Sequence, residues 1–146
     1  MANEILLRSA APPNVNEKLA QSTITPGELV EIAATGYIKP HATATGAAAA
    51  WFALAAGWNL GSTSSSSSAV DATYAAESTV PFVEARQGDH IWAWLEPSHA
   101  AVAEGALLES GGSGNLQAGT TSPIARAAEA HDGTSSTRAR IKVVVI

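Results

Sequence analysis

The side chains able to do chemistry are few and scattered. There is no cysteine, so the chain has no disulfide framework, no thiolate metal site and no cysteine nucleophile. The histidines, His41, His90, His99 and His131, stand at unrelated spacings, and none has the i, i+2 or i, i+4 partner that puts two ligands on one face. They read as ordinary surface or half-buried residues. Asp89 and His90 are adjacent, but neighbours on a strand point to opposite faces, which makes them a poor catalytic pair. "GGSGN" around Ser113 departs from the nucleophile-elbow pattern at its last position, and "GSGNLQ" has Gln117 where the dinucleotide fingerprint needs its third glycine. Both suit a glycine-rich hairpin better. Glu84, Glu96, Glu104 and Glu109 fall on separate predicted strands and turns, so no glycosidase-like carboxylate pair is legible. A biotinyl or lipoyl carrier would present a lysine at a hairpin tip, and Lys18, Lys39 and Lys142 do not fit that place. No catalytic residue, cofactor or metal site is predicted, and an enzyme ranks behind a structural or binding role.

The elements that would position these residues read as β-structure. At 146 residues the chain is one domain's worth. Residues 1–25 lack sustained alternation, contain Pro12 and Pro13, and end at the turn signal "TPGE", which predicts an extended N-terminal arm ahead of a domain over residues 26–146. Within the domain, "ELVEIAA" and "YIKPHATA" read as a strand pair, with Pro40 at an edge or a strand end because it cannot donate to a ladder. "AAAAWFALAAG" is ambiguous between helix and buried strand; its neighbours favour strand. Residues 62–69 form a Ser-rich loop. "TVPFVEAR", "HIWAWLE", the segment after Glu104-Gly105, residues 124–130 and "RARIKVVVI" supply further strands. In the last, Arg138, Arg140 and Lys142 alternate with Ala139, Ile141 and Val143, so one face is expected to be wet. Eight to ten short strands without a clear helix predict an all-β sandwich or small barrel.

Charge and hydropathy narrow the partners. Eight basic against 13 acidic residues give a net charge of −5, which disfavours nucleic acid. No secretory signal is expected, since Arg8 interrupts Ile5-Leu6-Leu7, and the apolar run over residues 46–58 is too short to span a bilayer. A soluble protein with no membrane partner is expected. Charged residues are only 14% of the chain, against about 25% in typical domains. A surface this poor in charge implies cover by protein.

The sharpest question lies in "GDHIWAWLEPSHAAVAEGALLES". On a strand, Ile91, Ala93 and Leu95 share one face and His90, Trp92 and Trp94 the other, and neither is polar. Alternation does not say which face is inside. If the tryptophans face a neighbour, each ring buries about 150–250 Å², at most roughly 4–6 kcal/mol. "EILL" near the N-terminus is likewise an odd sequence to leave in solvent.

Taken in order, "TPGELVEI", "GYIKPHATA", "WFALAAGWNLG", "DATYAAESTVPFVEARQGDHIWAWLEP", "VAEGALLESGGSGNLQ", "PIARAAEA" and "RIKVVVI" resemble the head decoration, or capsid cement, proteins of tailed bacteriophages. The resemblance runs from about Thr25 to Ile146 and rests on the ordered set rather than on any single motif. It implies a small β-barrel domain of the β-tulip kind with an extended N-terminal arm. It further implies a homotrimer on the outside of the expanded capsid, at three-fold and quasi-three-fold positions, where it bridges major capsid protein subunits in the virion. On this reading Ile5, Leu6 and Leu7, with Arg8 at the rim, contact the capsid or a neighbour. Trp92, Trp94 and His90 are then subunit-interface residues. Deleting residues 1–21 is expected to weaken capsid binding and leave the domain folded. The competing expectation is a virion-surface module binding a glycan or receptor.

Overall fold

The computed structural model describes residues 5–9, 12–55, 70–133 and 136–146. The Ser-rich stretch at 62–69 lies outside them. Every regular element described is a strand. Along the chain these are β1 (Leu6–Arg8), β2 (Asn14–Leu19), β3 (Val30–Ile32), β4 (Ile38–Pro40), β5 (Trp51–Ala53) and β6 (Thr79–Glu84). They are followed by β7 (His90–Leu95), β8 (Leu107–Gly112), β9 (Asn115–Ala118), β10 (Ala125–Ala127) and β11 (Ala139–Val145).

The largest sheet has the order β1-β7-β11-β10-β8-β9, and a parallel pairing of Leu95 with Leu116 ties β9 back to β7. The five strands from β7 to β9 thus form a small, partly closed ring, with β1 appended to the N-terminal half of β7. Every second residue of β7 and β11 points into the ring: Ile91, Ala93, Leu95, Ile141 and Val143 are fully buried there with Leu108 and Leu116. This decides the question of β7's faces. The Ile-Ala-Leu face is the core, and His90, Trp92 and Trp94 lie half-buried on the other side.

A three-stranded sheet, β2-β6-β5, and the hairpin β3-β4 enclose a second cluster of Ala20, Ile24, Val30, Ile38, Ala53, Val80 and Phe82. β6 serves both clusters, because Val80 and Phe82 face this one while Val83 faces the ring. The all-β, barrel-like class predicted from the sequence is the fold. Trp51-Phe52-Ala53 is a strand, Pro40 ends β4, and the β8–β9 hairpin turns through positive φ at Ser113 and Gly114.

The N-terminal segment departs from expectation. Its described residues do not extend away as an arm: β1 pairs with β7, and all six residues of β2 pair with β6. Ile5 is 1% exposed and belongs to the main core, and Trp92 N–H donates to its carbonyl at 2.8 Å. With little alternation of their own, both strands take their conformation from the sheets they join. Residues 124–130 yield only a three-residue strand, β10, although Ala128 N–H still donates to Lys142 O.

Candidate functional site

The outer face of β7 is covered from within the chain. β11 runs antiparallel beside it, placing Arg140 opposite Trp94 and Lys142 opposite Trp92. Side chains on one face of such a pair meet directly or on the diagonal. The Arg140 guanidinium carbon lies 4.8 Å from the Trp92 ring centroid and 4.2 Å from that of Trp94, and Arg138 lies 4.2 Å from Trp94. The contacts run Trp92, Arg140, Trp94, Arg138, an alternation of rings and cations favoured by the negative π-face. Trp94 Nε1–H donates to Pro26 O at 2.9 Å, which pins the ladder to the turn before β3.

Each cation is held differently. Arg138 Nη1 donates to buried Glu28 Oε1 at 2.6 Å, while the other oxygen of Glu28 accepts from Thr25 N–H at 3.0 Å. Arg140 Nη2 donates to Val70 O and, at 3.3 Å, to Asp71 Oδ1. The Arg140 side chain is 7% exposed against 64% for Asp71, so a nearly buried cation has a solvated partner. Burial pushes the Arg140 pKa down, and Asp71 opposes the shift. Its Nε and Nη1 are buried without acceptors. Gly27 roofs this end with positive φ, and a Cβ there would stand 2.7 Å from Trp92 O and 2.9 Å from Arg140 Nη1. Arg138 and Arg140 were expected on a wet face; of the three basic residues, only Lys142 is exposed. Their alternation with apolar residues was legible, but their ring partners were not.

The structure brings together some predicted contact residues and separates others. His90 and Arg8 are paired across β7 and β1 at the rim of the face that carries Trp92 and Trp94. Leu6 and Leu7 are half-buried and Arg8 is exposed. Ile5, by contrast, is committed to the core of its own chain, which corrects its expected role as a neighbour contact.

Two polar constellations were missed. Ser110 Oγ lies 2.8 Å from His41 Nδ1, and His41 Nε2 lies 3.3 Å from both Glu31 Oε2 and Ala47 O. The residue types are those of a serine hydrolase relay. Ser110 is 0% exposed, however, and its oxygen also accepts from Gly112 N–H at 3.2 Å, so it presents no nucleophile to a substrate. The network anchors the chain after β4 onto β8, with Thr45 N–H donating to Ser110 O. The second is a contact between His99 and His131, whose ring centroids are 4.9 Å apart. Both depend on residues distant in sequence, which no local spacing rule detects.

The buried carboxylates are likewise committed. Glu109 accepts from Thr121 N–H and Ser122 N–H at 2.8 Å each and from Gln117 Nε2 at 3.2 Å. The Ser122 bond is the chief cause of its lowered pKa; burial opposes the shift, and the Gln117 and Thr121 bonds add to it. Asp89 accepts from Ser9 Oγ–H at 2.8 Å and Arg86 N–H at 2.9 Å, fixing the turn into β7.

No family model matches the chain, and a search of curated proteins finds no similar one. No helix among the described residues is long and apolar enough to cross a membrane.

Proposed function

We propose that this chain is a structural virion protein of the tailed-phage head decoration kind. It binds the outside of the expanded capsid as a homotrimer at three-fold and quasi-three-fold sites, bridging major capsid protein subunits. The observation that carries the reading is the ordered resemblance from Thr25 to Ile146, together with the all-β fold, in which the segments from β7 onward build a small, partly closed ring. The uses found for Ser110, His41, Glu109 and Asp89 are bonds that hold loops and turns, which is how a stapling protein would spend them. Its mechanism is linkage: a protein that binds only the expanded lattice shifts the equilibrium toward the intact shell by its binding free energy at each site. A trimer adds avidity, since docking of one subunit raises the effective concentration of the other two.

In this reading the outer face of β7 is a pre-ordered docking surface, with Trp92, Trp94 and His90 half-buried and exposed Arg8 paired with His90 at its rim. Rings already stacked with guanidinium groups lose little side-chain entropy on binding. The same stacking disfavours a glycan-binding role, because a sugar would have to displace the arginines from the ring faces.

The test is co-sedimentation of the purified chain with expanded, empty heads of its cognate capsid protein, using unexpanded heads as the control. Saturable binding to expanded heads alone is expected. Equal binding to both forms would refute the linkage mechanism, and binding to neither would refute the role.

A further inference from the structure

The segment after β7 meets the segment after β10 in a short antiparallel bridge. Val102 N–H donates to His131 O and His131 N–H to Val102 O, each at 2.8 Å. Gly133 then passes so close to the backbone of residues 99–101 that a Cβ would stand 2.2 Å from His99 O. These contacts hold two imidazoles together, with centroids 4.9 Å apart and planes tilted by 54°.

The ring nitrogens are not equivalent. His99 is 4% exposed and its Nδ1 lies 2.8 Å from Ala100 O. A carbonyl only accepts, so Nδ1 carries the proton and a neutral ring presents its lone pair at Nε2. That Nε2 is buried without a hydrogen-bond partner, and so is Nδ1 of His131. Leaving buried polar atoms unmet is costly, and here two belong to touching rings.

We propose that His99 and His131 together bind one divalent transition-metal cation of the imidazole-preferring group: copper, nickel or zinc. The spacing suits such a site. A metal–nitrogen bond of about 2.0–2.1 Å plus a ring radius of about 1.1 Å puts each centroid roughly 3.2 Å from the ion. Centroids 4.9 Å apart then subtend about 100° at the metal, between the square-planar and tetrahedral angles. The His99 Nδ1–H bond to Ala100 O is the outer contact that fixes a ligating imidazole's tautomer and orientation. Among the described residues no group of three or more His, Cys, Asp or Glu is placed to hold a metal, so these two imidazoles are the protein ligands the site offers. Magnesium and calcium, preferring oxygen ligands, do not occupy such a site. The inference does not rest on the decoration reading.

The test is titration of the full chain with Cu²⁺ in chelator-free buffer, followed by electron paramagnetic resonance, with Zn²⁺ and Mg²⁺ compared by thermal melting. One equivalent of Cu²⁺ with hyperfine coupling to two imidazole nitrogens is expected, together with a higher Tm in Zn²⁺ and none in Mg²⁺. His99→Ala and His131→Ala should each abolish that equivalent, and His90→Ala should retain it. Should a variant fail to fold, proton NMR of the wild type decides: substoichiometric Cu²⁺ must broaden the ring signals of His99 and His131 before those of His41 and His90. Absence of saturable binding, its persistence in both variants, or first broadening at His41 or His90 would overturn the proposal.

Discussion

The two ladder arginines differ in what their removal would strand, and this yields a prediction of opposite outcomes for one substitution. Arg140 gains two ring contacts, about 1–2 kcal/mol each when desolvated, and charge-assisted hydrogen bonds worth about 1.5–3 kcal/mol. Against this stand two buried donors without acceptors, about 1–3 kcal/mol each. The terms nearly cancel. Methionine keeps the length and the ring contact, at about 0.3–1.5 kcal/mol per sulfur–aromatic pair; exposed Asp71 does not need the cation, and the Val70 carbonyl loses a donor, a loss counted among the hydrogen bonds above. Arg140→Met should therefore lie within about 1 kcal/mol of wild type. Arg138→Met removes the ion-pair partner of buried Glu28 and leaves it, among the described residues, with the Thr25 N–H bond and the more distant charge of Arg140, a loss of about 3–5 kcal/mol. Urea denaturation followed by tryptophan fluorescence, with thermal melts alongside, measures both variants. At about 2–4 °C per kcal/mol, Arg138→Met should lower Tm by about 6–20 °C while Arg140→Met stays within about 4 °C. Equal losses in the two variants, or a larger loss from Arg140→Met, would refute the reasoning from buried partners.

The remaining predictions concern the ladder's roof, the N-terminal strands and alkaline pH. Gly27→Ala forces a Cβ to 2.7 Å from Trp92 O at positive φ, so it should cost at least about 2 kcal/mol, read by the same urea titration. Deleting residues 1–21 removes β1 and β2 and uncovers β6 and β7; circular dichroism should show a chain that no longer melts cooperatively, whereas a folded product would mean that both strands are dispensable. Tyr74 donates its hydroxyl to Leu54 O at 2.7 Å, and burial raises its pKa to about 12. Its neutral form is therefore favoured by folding, giving stability that is present below pH 10 and lost as the pH rises towards 12. Tyr74→Phe should flatten that alkaline loss and remove the corresponding step from the phenolate absorbance titration.

The site was only partly legible in the sequence. The glycine-rich hairpin, the turn at Pro26-Gly27 and the strand at Trp51 were marked by turn chemistry and local composition, which act over a few residues. The same local rules gave no sign of β1 and β2, which have little alternation and become strands only through β7 and β6. They also left the histidines unrelated, although the bridge between Val102 and His131 brings two rings into contact.

By itself the sequence determined that this is an all-β chain and that β7 has two apolar faces, since a period of two is a property of the strand alone. Which face is core was decided by the tertiary structure, through the ring of strands closing over Ile91, Ala93 and Leu95. It likewise turned Arg138 and Arg140 from residues expected in water into cover for Trp92 and Trp94. The physical reason is that a side chain's burial free energy depends on the partners that meet it, and here those partners come from distant parts of the chain.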